Sequence, residues 1–160
     1  MTKRVSLQQL YALSLKHFAT KTVVLATGVF DILHSEHTKF LRAAKAAGDI
    51  LTVGLETNQR VRALKGPTRP FNSITKRLRN LATLNIADYV FELPGNLGTP
   101  QGREEFIQQL HPHILAVSSH SPNLPEKRRI MSLVGGQVKV VLSHNPSLST
   151  TIITKQNRLR

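Results

Sequence analysis

Along nearly the whole chain, short unbroken apolar runs alternate with longer stretches in which apolar residues recur three and four positions apart. The runs cover residues 22–27, 50–55, 89–93, 114–118 and 138–142, and they are rich in β-branched residues and bounded by Gly, Asp, Pro or Asn. Runs of this length and composition are strands. They do not alternate with polar residues, so both faces are expected to be buried, as in a parallel sheet. The stretches between them carry helical stripes. Leu7, Leu10, Tyr11, Leu15 and Phe18 form the first, and Phe40, Leu41, Ala44 and Ala47 the second. Ile74, Leu78, Leu81 and Leu84 or Asn85 form the third, Phe106, Ile107 and Leu110 the fourth, and Ile130, Met131 and Val134 the fifth. Ile152 and Ile153 mark a short last helix. Such stripes are what a helix buries against a neighbouring layer.

Strand and helix alternating at this spacing imply βαβ units. The expected fold is α/β, a Rossmann-like doubly wound five-stranded parallel sheet with flanking helices. The chain has 160 residues, enough for one core, and reads as a single domain over 1–160, with an N-terminal helix within 1–20 and a basic tail at 156–160. In a doubly wound sheet, ligands bind beyond the carboxyl ends of the strands, where the strand order reverses. The loops that follow the strands are therefore where chemistry is expected.

There is no cysteine, which removes disulfides and thiolate metal sites and suits a reducing compartment. The N-terminus lacks the apolar stretch of a signal peptide. Val23-Val24-Leu25-Ala26 is far shorter than the roughly 20 apolar residues of a membrane helix. A cytoplasmic protein with no membrane association is expected. The 22 Lys and Arg against 9 Asp and Glu leave a net charge of +13, which favours anionic partners such as triphosphates, phosphosugars or RNA. Six Phe, two Tyr and no Trp leave few platforms for stacking bases, and nucleic acid is the weaker partner on that ground.

The first strand runs into Thr27-Gly28-Val29-Phe30-Asp31-Ile32-Leu33-His34-Ser35-Glu36-His37 and then a helix. Gly28 lacks a Cβ where a phosphate or base has to approach the backbone. A helix beginning near Ser35 offers free N–H groups to phosphate oxygens. His34 and His37, three apart, project from one side of that helix start. Two imidazoles there can donate hydrogen bonds to phosphates and stabilise charge developing in transfer. Lys39 adds a cation, and Asp31 reads as a group that fixes the loop. An i, i+3 histidine pair suits a metal too, but no third ligand is evident and no protein-held metal is expected.

After the second strand come Arg60, Arg62, Lys65 and Arg69, with Gly66, Pro67 and Pro70 breaking regular structure, so these cations are read as lying on a shaped loop. Lys65 and Arg77 are the candidates for charge neutralisation there, and Arg60 and Arg62 read as solvated. Ser149, Thr150 and Thr151 precede the last helix and offer hydroxyls and amides to a second anion site. His17, His111 and His113 read as structural or surface residues.

The segment Gly28-Val29-Phe30-Asp31-Ile32-Leu33-His34-Ser35-Glu36-His37 resembles the G-x-F-D-x-x-H-x-G-H signature of the cytidylyltransferase-like nucleotidyltransferases. More closely, the chain resembles the adenylyltransferase domain of ADP-heptose synthesis, and it is also similar to glycerol-3-phosphate cytidylyltransferase. Leu64-Lys65-Gly66-Pro67-Thr68-Arg69-Pro70-Phe71-Asn72 is similar to an L-K-G-x-x-R-P-x-N loop of that subfamily, and Ser149-Thr150-Thr151 to its S-T-T. The resemblance implies transfer of AMP or CMP from ATP or CTP, with Mg²⁺, to a phosphorylated small-molecule acceptor such as heptose 1-phosphate, with release of pyrophosphate. It implies catalytic roles for His34, His37, Lys39, Lys65 and Arg77. It implies nucleotide binding by Thr27, Gly28, Val29, Phe30, Asp31, Ser149, Thr150 and Thr151, and it allows a homodimer.

The chain departs from that pattern in three places. Glu36 stands where the signature has glycine. Its carboxylate either turns outward in the first turn, which the helix dipole favours, or obstructs the nucleotide. Residues 118–122 replace a K-G-G-D-Y-like segment, and residues 143–148 replace an acidic, glycine-containing one. Two further readings therefore accompany the enzyme: a catalytically impaired relative that binds or senses nucleotide, and a basic RNA-binding module.

Overall fold

The structure, a computed structural model, describes residues 1–143. The helix expected at Ile152 and Ile153, the hydroxyl triplet Ser149-Thr150-Thr151 and the basic tail lie outside the described residues.

A two-residue strand β1 (Lys3–Arg4) precedes helix α1 (Leu7–His17). The core alternation follows as β2 (Val23–Gly28), α2 (Ser35–Ala46), β3 (Ile50–Leu55), α3 (Asn58–Lys65) and α4 (Ile74–Thr83). It continues with β4 (Tyr89–Glu92), α5 (Pro100–Leu110), β5 (Ile114–Ser118), α6 (Leu124–Ser132) and β6 (Gln137–Leu142). All neighbouring strands pair in parallel in the order β1-β4-β3-β2-β5-β6. The doubly wound parallel sheet expected from the apolar runs is present, with its order reversing between β2 and β5.

Helix starts follow local chemistry. The side chain of Ser6 accepts from the N–H of Gln9 while the Gln9 side chain accepts from the Ser6 N–H, a reciprocal cap on α1. Thr57, Ser73 and Thr99 cap α3, α4 and α5 in the simpler way. The sheet buries apolar side chains on both faces. Leu10, Phe106, Ile107 and Met131, from α1, α5 and α6, pack with Leu25, Phe91 and Leu115. Leu41, Ala44 and Leu81, from α2 and α4, pack with Val24, Val53 and Val90.

The structure corrects several expectations. The sheet has six strands among the described residues, not five, because Lys3–Arg4 pairs with Tyr89–Val90. Both side chains of β1 are exposed, so no apolar run announced it. The segment read as a loop after the second strand is helix α3 up to Lys65, and only residues 66–73 form the turn-rich connection. Leu15 lies in the α1 stripe yet is 82% exposed, since α1 turns Leu10 and not Leu15 into the core. β6 is an edge strand with half of its residues exposed and Val140 at 47%, so it is not buried on both faces.

Candidate active site

At the reversal of strand order, a cleft of about 500 Å³ opens beyond the carboxyl ends of β2 and β5. This is where an open α/β sheet binds its ligands. Thr27, Gly28, Val29 and Phe30 form its floor, His34, Glu36, His37 and Phe40 its α2 wall, and Glu56, Leu64 and Lys65 a second wall. Residues 118, 120–122 and 127 close the far side, and Ser143 reaches the rim.

Asp31 holds the first loop in shape. It is 2% exposed, and its carboxylate accepts from the N–H of Phe71 at 2.8 Å, the N–H of Asn72 at 2.9 Å and Nε of Arg69 at 3.3 Å. Asn72 Nδ2 returns a 2.7 Å bond to the Asp31 carbonyl. One buried carboxylate thus ties the end of β2 to the connection between α3 and α4, across some forty residues of sequence. Asp31 is absent from the cleft lining, and loop fixation is the role its contacts support.

Phe30 sits at φ 47°, a conformation non-glycine residues seldom adopt. Its ring folds back and is 5% exposed, with its centroid 5.2 Å from that of His37. A Cβ added at Gly28 would stand 2.9 Å from Phe30 Cε2. In this structure the missing Cβ makes room for Phe30, and through Phe30 for His37, a closer constraint than the ligand approach expected from sequence.

His34 and His37 stack, with ring centroids 3.8 Å apart and planes inclined by 24°. The Nδ1 atom of each is buried and makes no hydrogen bond with any described residue. Buried polar atoms are rarely left so, and each unmade bond costs about 1–3 kcal/mol. Burial pulls the His37 pKa down to about 4, with His34 and then Lys65 pushing the same way. Burial also lowers that of His34, against the opposing pull of Glu36. At neutral pH both rings are therefore uncharged, each with one N–H to donate. His34 is also the N-cap of α2, and no side chain caps the first-turn N–H groups of that helix. Free amides, two neutral imidazoles and the Lys65 ammonium converge on the cleft, a donor set suited to phosphate oxygens.

The other candidate cations are placed differently. Arg77 is fully buried and absent from the cleft lining. Its guanidinium donates to Asn72 O at 3.1 Å, Val29 O at 2.9 Å and Asn58 Oδ1 at 2.8 Å, bracing the first loop from beneath. Lys39 is 63% exposed, lies outside the cleft lining and pairs with Glu36 Oε1 at 2.8 Å. Of the two placements open to Glu36, the outward one is not found. Its side chain is 13% exposed and lines the cleft, with Lys39 offsetting its charge from the solvent side. The 120–122 segment brings His120 to the cleft, and with it Lys127 of α6, which sequence reading passed over. Lys127 Nζ donates to Ser121 Oγ and Pro122 O, both at 2.7 Å, and burial lowers its pKa. A lysine near the start of a predicted helix carries no sequence signal that sets it apart from a solvated one.

His17 and His111 are exposed, and His113 accepts from the Val23 N–H through Nδ1 at 3.1 Å, so these three are structural or surface residues. Among the described residues, no group of three or more His, Asp or Glu side chains is arranged to hold a metal ion. No described helix is long and apolar enough to cross a membrane.

Comparison with known proteins agrees with this geometry. The cytidylyltransferase-like family model matches residues 25–156. The chain is 36% identical over 136 residues to the bifunctional protein HldE of Pseudomonas fluorescens, covering 84% of this chain and 28% of that protein. It is 36% identical over 146 residues to HldE of Citrifermentans bemidjiense, covering 91% of this chain and 29% of that one. It thus spans less than a third of the length of these relatives. Among solved structures, the lipopolysaccharide core biosynthesis protein from Thermoplasma volcanium superposes with a TM-score of 0.64 at 25% identity, covering 78% of this chain and 98% of the other. Pantoate-beta-alanine ligase from Francisella tularensis shares the fold alone, with a TM-score of 0.65 at 14% identity over 99% of this chain and 78% of that one. With its site at the switch point of a parallel sheet and its match over most of the sequence, the chain belongs to the cytidylyltransferase-like family of nucleotidyltransferases.

Proposed function

We propose that this cleft transfers AMP or CMP from ATP or CTP to a phosphorylated small-molecule acceptor, a sugar phosphate such as heptose 1-phosphate. The stacked, neutral His34–His37 pair at the uncapped start of α2 is the observation that carries the reading. An acceptor phosphate oxygen attacks the α-phosphorus in line. The bond from that phosphorus to the bridging oxygen of the β-phosphate breaks, and pyrophosphate leaves with the electron pair. No covalent bond to the protein forms, so positioning and charge stabilisation supply the rate. His34 and His37 donate to phosphate oxygens in the transition state, Lys65 neutralises charge, and Thr27, Gly28, Val29 and Phe30 shape the nucleotide floor. Asp31 and Arg77 position that floor, and Lys39 acts through Glu36. Ser149, Thr150 and Thr151 are proposed for the β- and γ-phosphates.

Mg²⁺ is proposed as the companion of the triphosphate. The described residues offer no carboxylate cluster to hold it beforehand, so no step is routed through a protein-bound ion. A cytoplasmic location and a homodimer complete the proposal, the first supported by the absence of cysteine.

One observation favours a second reading, a nucleotide-binding relative with impaired catalysis. Glu36 places a carboxylate on the cleft wall where the family signature has none. Pyrophosphate release, measured with each of the four ribonucleoside triphosphates against a panel of phosphorylated acceptors, separates the two. Release with one pair establishes transfer and names its substrates. Triphosphate binding without release supports the impaired relative, and the absence of both overturns the nucleotide site.

A further inference from the structure

The transfer just described uses the imidazoles, amides and ammonium groups of the cleft and leaves Glu56 without a task. Glu56 follows β3 directly, and its N–H donates to Gly28 O at 3.0 Å, which anchors it beside the first loop. Its side chain is 19% exposed and lines the cleft together with His37 and Lys65. Arg60 Nε is 4.0 Å from Oε2, and neither carboxylate oxygen accepts a hydrogen bond from any described residue. Burial raises its pKa, while Arg60 and Arg77 oppose the rise. Glu36, the other cleft carboxylate, is engaged by Lys39 at 2.8 Å. Glu56 has only the more distant Arg60 guanidinium, at 4.0 Å.

A carboxylate only accepts hydrogen bonds, and two oxygens held in a fork match two adjacent donors. It repels phosphate, so it does not belong to the anion-binding set around it. Left unsatisfied it is unfavourable in a half-buried place, and a ligand that brings donors relieves that. Substrates of the proposed reaction carry paired donors as vicinal hydroxyls. We infer that Glu56 is a specificity-determining residue that accepts hydrogen bonds from a vicinal diol of the substrate. This rests on the transfer reading for its choice of substrates. The diol has two sources, the ribose of the triphosphate and the polyol of the acceptor.

Two comparisons distinguish the sources. Dissociation constants are measured for ATP and CTP against their 2′,3′-dideoxy forms. KM is measured for a sugar phosphate against methyl phosphate, which has no free hydroxyl. The wild type should prefer the hydroxyl-bearing member of one pair by about tenfold or more, as sites built to bind a hydroxyl do. Glu56→Ala should abolish that preference, Glu56→Gln should keep part of it, and pyrophosphate should bind both variants as well as the wild type or better. Thermal midpoints identify any variant that does not fold, and the Gln side chain matches Glu in size. A preference that survives in Glu56→Ala overturns the inference. So does a wild type without one, a pyrophosphate affinity that falls in parallel, or an effect that follows the base and not the hydroxyls. If no substrate pair releases pyrophosphate, transfer fails, and the dideoxy comparison still tests Glu56 by binding alone.

Discussion

The imidazole of His34 lies on that of His37, centroids 3.8 Å apart, with the Phe30 ring against the second imidazole at 5.2 Å. Packing of this kind excludes water and disfavours charge on either ring. His37 titrates near 6.5 when unfolded and at about 4 when folded, chiefly through burial. Between those values the unfolded chain holds the extra proton. Stability is therefore greatest above pH 6.5 and falls as the pH drops towards 4, by about 3 kcal/mol from this group. Urea denaturation of wild type and His37→Gln across that range should show the difference between them shrinking as pH falls. A constant difference contradicts a buried neutral imidazole.

Asp31→Ala removes the acceptor of two backbone N–H groups and of the buried Arg69 guanidinium. Breaking a buried, hydrogen-bonded ion pair from one side costs about 3–5 kcal/mol. Chemical denaturation should show a loss of that order, with weaker triphosphate binding as the loop from residue 66 to 73 relaxes. Wild-type stability with lost activity would instead make Asp31 a participant in the chemistry.

The sheet was legible because burial on both faces leaves strands with no polar alternation. Ile50–Leu55 and Ile114–Ser118 have the bounds read from sequence. β1 was not legible, since Lys3 and Arg4 join the sheet through backbone alone and leave their side chains in water. α3 was misread because its cations and the following Gly66 and Pro67 look like loop chemistry, while its single buried residue, Val61, makes no stripe. Within the site, His34 and His37 stand on the cleft as their spacing implied, and Lys65 stands there from the end of α3 and not from a loop. Arg77 did not follow, because sequence shows a cation and not the acceptors around it. Glu56 and Lys127 depend on where two connections turn, which periodicity does not reach.

Arg77→Lys distinguishes a brace from a ligand. Lysine cannot make three bonds in the planar arrangement that Asn72 O, Val29 O and Asn58 Oδ1 demand. A stability loss of about 2–4 kcal/mol is expected, with any fall in turnover following it. An unchanged thermal midpoint with a raised KM for triphosphate would place the guanidinium on substrate instead.

Glu36→Gly removes a carboxylate from the cleft wall and frees Lys39. Helix propensity falls by about 1 kcal/mol at most, since the site is in the first turn. Triphosphate should bind several-fold more tightly, and an impaired wild type should gain turnover. Weaker binding in the variant would make Glu36 a substrate contact.

The most direct measurement is single-turnover pyrophosphate release by wild type and His37→Ala at saturating triphosphate and acceptor, with both proteins shown to be folded. Loss of a preorganised transition-state donor lowers such rates by about 10²–10³. A fall of that size, with triphosphate affinity changed far less, is the predicted result. Equal rates would contradict the assignment of transfer to the stacked histidines.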